Sequence, residues 1–256
     1  MNTYELIIIT TFCALISASA ASFINVAALR GAKEESYVAG RSCCPACNKT
    51  LRWFELIPIF SWLMLLGRCG GCRTRISPRY LIIELIAATA TVLCFTRFGL
   101  TWTSAIGFAV MLLLLAVAVI DLDTMEIPNG LIIALIPFAI ATIWASPEVS
   151  LISRIIGLFV ISLPMLVLAL IIDGAFGGGD IKLMAVCGFL LGWQQSILAF
   201  FIAIIIGGTI ALTMMRRDKA KKGARLPFGP SLCLGITAAM LYGDKIISSY
   251  LGLLGL

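Results

Sequence analysis

Long apolar runs separated by short polar breaks fill nearly the whole chain, the pattern of helices surrounded by lipid rather than of a water-soluble domain. Runs approaching the roughly twenty apolar residues that cross a bilayer predict eight helical spans, at about 5–29, 80–97, 101–120, 130–146, 151–172, 181–193, 196–215 and 229–253. The sixth is short, begins just after a glycine cluster, and sets the orientation of everything downstream. The first, from Leu6 to Leu29, is longer than the apolar core of a signal peptide and leads into a charged loop, so it is expected to be a retained span. The fold class this predicts is all-α, a polytopic membrane helix bundle.

Composition agrees, with 61% hydrophobic and 12% charged residues and a mean hydropathy of +1.06. Basic residues are retained on the cytoplasmic side of a membrane. With eight spans, one side collects Arg30 to Arg79, Lys182 and the run Arg216 to Arg225, which is 16 of the 19 Lys and Arg residues. Only Arg97, Arg154 and Lys245 fall opposite, so both termini are placed outside the cytoplasm. The net charge of +6 then reflects topology, with attraction to anionic membrane lipid as a secondary effect. No basic stripe interleaved with aromatics suggests nucleic acid. Three parts are expected: a first transmembrane helix at 1–29, a cytoplasmic loop domain at 30–79 and a seven-helix membrane domain at 80–256.

The loop domain contains Cys44-Pro45-Ala46-Cys47 and Cys69-Gly70-Gly71-Cys72, two C-x2-C pairs separated by twenty-one residues. Each pair can present two thiolates to one ion, and together they complete a tetrahedral zinc site with no open position for chemistry. The alternative is a pair of disulfides or unrelated cysteines, which the reducing side of the membrane disfavours. The apolar stretch from Leu51 to Leu66 is broken by Arg52, Glu55 and Pro58, and is expected to lie against the membrane surface. The rest has little core of its own, so metal ligation would supply much of its folding energy.

Two aspartates stand at the ends of apolar spans, Asp121 in IDLDTMEIPN and Asp180 in FGGGDIKL. An ionisable group at membrane depth is costly, roughly 2.5 to 3.5 kcal/mol on insertion scales, so such a pair invites a functional reading. Asp121 and Asp123 diverge on a helix, and Asp121, nearer the membrane, is the one expected to face the bundle. Gly177, Gly178 and Gly179 permit an extended peptide to approach Asp180 closely; the alternative is an interhelical hinge with Asp180 as a helix N-cap. The topology brings both carboxylates to one membrane face. Neighbouring carboxyls do not both ionise easily, so one can activate water while the other donates to a scissile carbonyl. The chain has no histidine, which removes Ser-His-Asp, Cys-His and HExxH chemistry.

DLDTMEIPN followed by GGGDIK and preceded by the paired C-x2-C loop resembles the type IV prepilin peptidases, the bifunctional prepilin leader peptidase and N-methyltransferase enzymes of bacteria. ASFINV at 21–26, ISPRYLIIE at 76–84 and LPFGPSL at 226–232 extend the resemblance over roughly residues 20–235. It implies a multi-pass enzyme of the bacterial cytoplasmic membrane. Its substrates would be prepilins or type II secretion pseudopilins, cleaved after a glycine at the cytoplasmic boundary. The new amino terminus would then be methylated by S-adenosylmethionine. Asp121 and Asp180 match the family's catalytic pair, and Lys182 matches the family pattern beside the groove. Methyl transfer would lie near residues 30–80; Glu84 is a candidate there but could instead pair with Arg79 or Arg75.

Asn25 reads as an interhelical hydrogen-bonding residue and Pro227-Phe228-Gly229-Pro230 as a helix stop and start. A cation or proton transporter could also use two membrane carboxylates and a glycine-broken helix, but would not explain the four-cysteine loop.

Overall fold

In the computed structural model the described residues are 3–31, 43–44, 46–172, 174–216 and 226–253, with no side-chain description for Thr3, Arg30 and Gly31. Lys33, Arg41, Asp173 and the basic run from Arg217 to Arg225, which bear on the orientation, lie outside them, as does Pro45 of the first cysteine pair. Among the described residues the regular structure is helical, with two isolated β-bridges and no strand. The chain forms two compact units, Met1–Leu100 and Thr101–Leu256.

The first unit contains α1 (Thr3–Gly31), α2 (Phe60–Met64) and α3 (Arg79–Phe98), with α1 packed along α3. A 3-10 turn at Trp53–Leu56 and α2 form the apolar part of the loop, which leaves Trp53, Phe60, Leu63, Met64 and Leu66 exposed. So much uncovered apolar surface suits contact with lipid headgroups and acyl chains. Asn25, expected to hydrogen-bond between helices, is fully buried and neither of its side-chain polar atoms has a partner.

The second unit contains α4 (Trp102–Thr124), α5 (Asn129–Ala145), α6 (Leu151–Val160), α7 (Ser162–Ile171), α8 (Gly178–Leu191), α9 (Trp193–Arg216) and α10 (Gly229–Leu253). Every expected span coincides with a helix, the fifth being divided into α6 and α7. The break at Ile161 has a local cause. Pro164 lacks an N–H for the carbonyl of Val160, and its ring crowds that carbonyl. Among the described residues five stretches are long and apolar enough to cross a membrane: Tyr4–Leu29, Arg79–Phe98, Trp102–Thr124, Leu151–Ile171 and Trp193–Arg216.

Helices α8, α9 and α10 pack together with α4, α5 and α6 around a core that includes Leu114, Leu135, Leu183, Met184 and Ile236. Because lipid is as apolar as the side chains, close helix contact rather than solvent exclusion must drive this association. Gly157 of α6 and Gly188 of α8 meet backbone to backbone, and a Cβ on either would collide with the carbonyl of the other.

Arg154 does not face a loop as the charge pattern suggested. Ser150 caps α6 through the Ser153 amide at 3.2 Å, and one turn in, the Arg154 side chain turns inward with 1% of its surface exposed. Its guanidinium donates to Thr142 O at 2.9 Å, Ser146 O at 2.8 Å, Thr142 Oγ1 at 2.6 Å and Leu190 O at 3.0 Å. These carbonyls belong to the last turn of α5, its C-cap Ser146 and the last turn of α8, where the dipole favours a cation. Arg154→Met is expected to destabilise the second unit by about 1.5–3 kcal/mol, the range for a charged hydrogen-bonding group, measured as a lower unfolding midpoint in detergent.

Candidate functional site

Helix α4 runs one turn past the expected boundary, so Asp121 lies inside its last turn rather than at its end. Met125 closes the helix in the left-handed region with φ 56°, and its amide donates to Asp121 O at 2.9 Å. The Asp121 side chain is 5% exposed, while Asp123 is half-buried and Glu126 is exposed. A carboxylate at a helix C-terminus opposes the dipole and needs a donor from elsewhere. The donor is Gly229, whose buried amide gives its hydrogen to Asp121 Oδ2 at 2.9 Å.

Gly229 is the first residue of α10, where the amides have no intrahelical acceptor. It also has to be glycine, because a Cβ there would stand 2.6 Å from Asp121 Oδ2. The LPFGP segment is thus more than a helix stop and start. Phe228 packs on Phe176, ring centroids 5.8 Å apart, and on Phe200 at 6.4 Å, which ties the segment to the stretch before Asp180. Sequence reasoning missed Gly229; the available signal was a buried carboxylate with no donor near it in sequence.

Asp180 is the third residue of α8, not its N-cap; the cap is Gly177. The carboxylate reaches back so that its Oδ2 accepts from the Gly177 amide at 3.3 Å. The residue is 9% exposed, and its Oδ1 is buried with no hydrogen-bond partner. Gly177 and Gly178 are exposed, and a Cβ at Gly178 would meet open space. At Gly179 a Cβ would stand 2.8 Å from Cβ of Ile127, so that glycine lets α8 press against the turn that follows Asp121. Lys182 links the same two segments by donating to Asn129 Oδ1 at 2.9 Å.

The cysteines are brought together in the first unit. Sγ atoms of Cys44, Cys47, Cys69 and Cys72 all lie within 4.8 Å of one another, with Cys44 to Cys72 at 3.8 Å and Cys47 to Cys69 at 4.0 Å. A tetrahedron with metal–sulfur bonds of about 2.3 Å has edges of about 3.8 Å, so the set fits zinc.

The two C-x2-C segments are built alike. The Cys44 amide donates to Lys49 O and the Cys69 amide to Thr74 O, at 3.0 and 2.9 Å, while Asn48 and Arg73 return to Cys44 O and Cys69 O at 2.9 and 3.1 Å. Asn48 and Arg73 both take positive φ, 54° and 57°. The bridges Cys43 to Thr50 and Arg68 to Arg75 close the two loops. Hydrogen bonding from the Thr74 side chain, then its backbone, pulls the Cys72 thiol down to about 6. The amides of Gly71 and Cys72 lower that of Cys69. Cys47 moves the other way, to about 11: the backbone at Lys49 favours its thiolate, but contact with Cys72, burial and the other thiols outweigh it. A bound zinc would take the place of the thiol protons of all four, so its binding would release protons.

Comparison with known proteins gives the same two-part division. The family described as "Bacterial Peptidase A24 N-terminal domain" matches residues 15–98, and the "Type IV leader peptidase family" matches residues 108–212. The chain is 39% identical over 230 residues to the prepilin leader peptidase/N-methyltransferase of Bacillus subtilis (strain 168), covering 90% of this chain and 93% of that one. It is 33% identical over 215 residues to the protein of the same name from Stutzerimonas stutzeri, covering 82% and 74% of the two chains. To that of Pseudomonas aeruginosa it is 30% identical over 230 residues, covering 87% and 79%. No solved structure matches the chain.

Adding a methyl group at Gly229 or Gly179 forces Asp121 or Ile127 aside. Gly229→Ala and Gly179→Ala are each expected to cost about 1–3 kcal/mol, the range for overpacking, read from unfolding midpoints in detergent. Gly208→Ala, where a Cβ meets open space, is expected to leave the midpoint unchanged.

Proposed function

The chain belongs to the type IV leader peptidase family, and on that premise we propose that it removes the leaders of prepilins by aspartyl catalysis and methylates the amino terminus so exposed. The observation that carries the peptidase reading is the pair of buried carboxylates, Asp121 and Asp180, delivered by separate helices beside the exposed Gly177-Gly178 backbone.

One carboxylate takes a proton from water as its oxygen attacks the scissile carbonyl carbon. The other, protonated, donates to the carbonyl oxygen. When the intermediate collapses, the C–N bond breaks, the leaving nitrogen receives the proton held by the first, and the hydroxyl formed from the carbonyl gives its proton back to the second. Gly229 fixes Asp121 by one oxygen and leaves the second for water, while Asp180 Oδ1, buried without a hydrogen-bond partner, is the oxygen left to donate to the substrate once the site admits it. Gly177 and Gly178 let the substrate backbone lie close, and Lys182, through Asn129, holds the two catalytic segments together. A prepilin helix lies in the bilayer with its leader at the surface, so a cut at the cytoplasmic boundary needs carboxylates at that depth, in an inner-membrane protein with its catalytic face and cysteine loop turned inward. Pseudopilins of type II secretion present the same geometry.

The cysteine cluster is read as a structural zinc site, since four thiolates leave no position for water or substrate. S-adenosylmethionine supplies the methyl group of the second activity.

Asp121→Asn and Asp180→Asn are each expected to lower leader removal by about 10²–10⁴-fold while the protein remains folded and still methylates a pilin supplied without its leader. Normal cleavage by either variant would refute the carboxylate pair. Purified wild-type protein is expected to carry one zinc per chain by elemental analysis. Cys69→Ser is expected to lose it, leaving the region from Cys43 to Ile76 open to proteolysis while α4 to α10 remain intact.

A further inference from the structure

Asp121 and Asp180 are both buried, and Asp180 Oδ1 faces no partner inside the protein. A substrate bond can reach the pair only if a neighbouring element yields. Most of the elements are tied down. Helix α8 is held by Gly179 against Ile127, by Lys182 to Asn129 and by the close approach of Gly188 to Gly157. The Arg154 guanidinium joins the last turns of α5 and α8. Helix α10 starts on Asp121 through the Gly229 amide, and its Gly235 lies so near the Ala199 carbonyl of α9 that a Cβ would collide with it.

Helix α7 is the exception. It buries only Ser162 and Met165, both among its first four residues, whereas α8 buries seven. Helices in lipid are held to one another by close packing, so an element with so little of it opens at low cost. It is also jointed. The break at Ile161, made by Pro164, leaves α7 hinged on α6 rather than continuous with it.

The far end of α7 leads toward the carboxylates. Phe176 packs on Phe228, the neighbour of Gly229, with ring centroids 5.8 Å apart, and on Phe200 at 6.2 Å. The adjacent Gly177 amide holds Asp180 at 3.3 Å, the longer of the two bonds that fix the pair. Phe176 therefore joins the segment that holds Asp180 to the segment that holds Asp121. On the outside of α7, Leu163, Leu166, Val167 and Leu170 form an exposed stripe at i, i+3, i+4 and i+7. Lipid can cover such a stripe anywhere on the bundle. This one ends where the exposed Gly177-Gly178 backbone begins, and every exposed side chain of α7 is apolar, which suits a membrane helix and not a polar peptide.

We propose that α7 is both the docking surface for the hydrophobic helix of a prepilin and the lateral gate of the carboxylate site. The gate swings on the Ile161 break, Phe176 withdraws from Phe200 and Phe228, and the substrate helix lies along the α7 stripe with its scissile peptide at Gly177-Gly178. The inference rests on the peptidase reading above and adds the route by which the substrate enters.

A gate that is mostly closed weakens apparent substrate binding by the fraction that is open. Pro164→Ala restores the missing amide and makes α6 and α7 one helix. Its unfolding midpoint in detergent is expected to equal or exceed that of wild type, since alanine is the better helix former. Its KM for a synthetic prepilin peptide, leader plus hydrophobic helix, is expected to rise at least about tenfold with kcat little changed. Phe176→Ala removes the latch and is expected to lower KM at least about threefold. A purely structural role for the two residues would not move KM in opposite directions. Benzoylphenylalanine substituted at Leu170, in full-length Asp180→Asn protein that leaves the peptide whole, is expected to crosslink to the peptide. The same group at Ile133 of α5, also exposed, is expected not to.

An unchanged KM in either variant would overturn the proposal. So would crosslinking from Leu170 to lipid or to a second copy of the chain alone, or crosslinking to the peptide as strong from Ile133. A wild-type protein that leaves the peptide uncut would instead overturn the peptidase reading, an outcome distinct from these.

Discussion

A charge buried where water is scarce can be held by backbone, and that constraint decides where Asp121, Asp180, Glu84 and Arg154 stand. Helix ends are the places where backbone groups are free to serve. Asp121 takes the first amide of α10, Asp180 the amide that caps α8, and Glu84 the amide that precedes α2. Arg154 does the converse, receiving the last carbonyls of α5 and α8. Carboxylates thus meet helix N-termini and the cation meets C-termini, the arrangement the helix dipole favours. Asp121 shows the rule most sharply, because its own helix offers it the wrong end and a different helix supplies the donor.

The first unit meets another shortage, that of apolar core. Its loop exposes large side chains such as Trp53 and Leu66 and buries few. What it has instead are two hairpin-like turns of the same design, each presenting two sulfurs and each closed by a positive-φ residue. Neither turn can hold an ion alone. Four thiolates on one ion would join them, and the binding energy of the metal becomes folding energy. A cavity of about 630 Å³ in this unit has Cys44 and Cys69 in its wall and so lies against the cluster.

Much of this was legible in the chain. Apolar run length located the long helices, though not the division of α6 from α7, and cysteine spacing identified the cluster, because both signals are local. What escaped were features that depend on contact between distant segments. Gly229 looked like punctuation between helices, since nothing in LPFGP announces that its amide will meet a carboxylate more than a hundred positions earlier. Arg154 looked like a loop charge because its acceptors are main-chain carbonyls, which leave no mark on sequence. The split of α6 from α7 was readable in principle from Pro164, but apolarity runs straight through it.

The arrangement of α5 and α8 explains why the two segments beside Asp121 and Asp180 can be short without being loose. Each helix begins at one of them, α5 at Asn129 and α8 at Gly178, and each ends at a carbonyl held by Arg154. At the near end Lys182 joins α8 to Asn129, and Gly179 lets α8 seat against Ile127. The pair is therefore tied at both ends, by an amide-to-ammonium contact beside the carboxylates and by a shared guanidinium at the far end. A helix fixed at both termini can shift little along its axis. The positions of α5 and α8 are then set at both ends, and the glycines serve the contact: Gly179 admits Ile127, while a Cβ at the exposed Gly178 would meet open space.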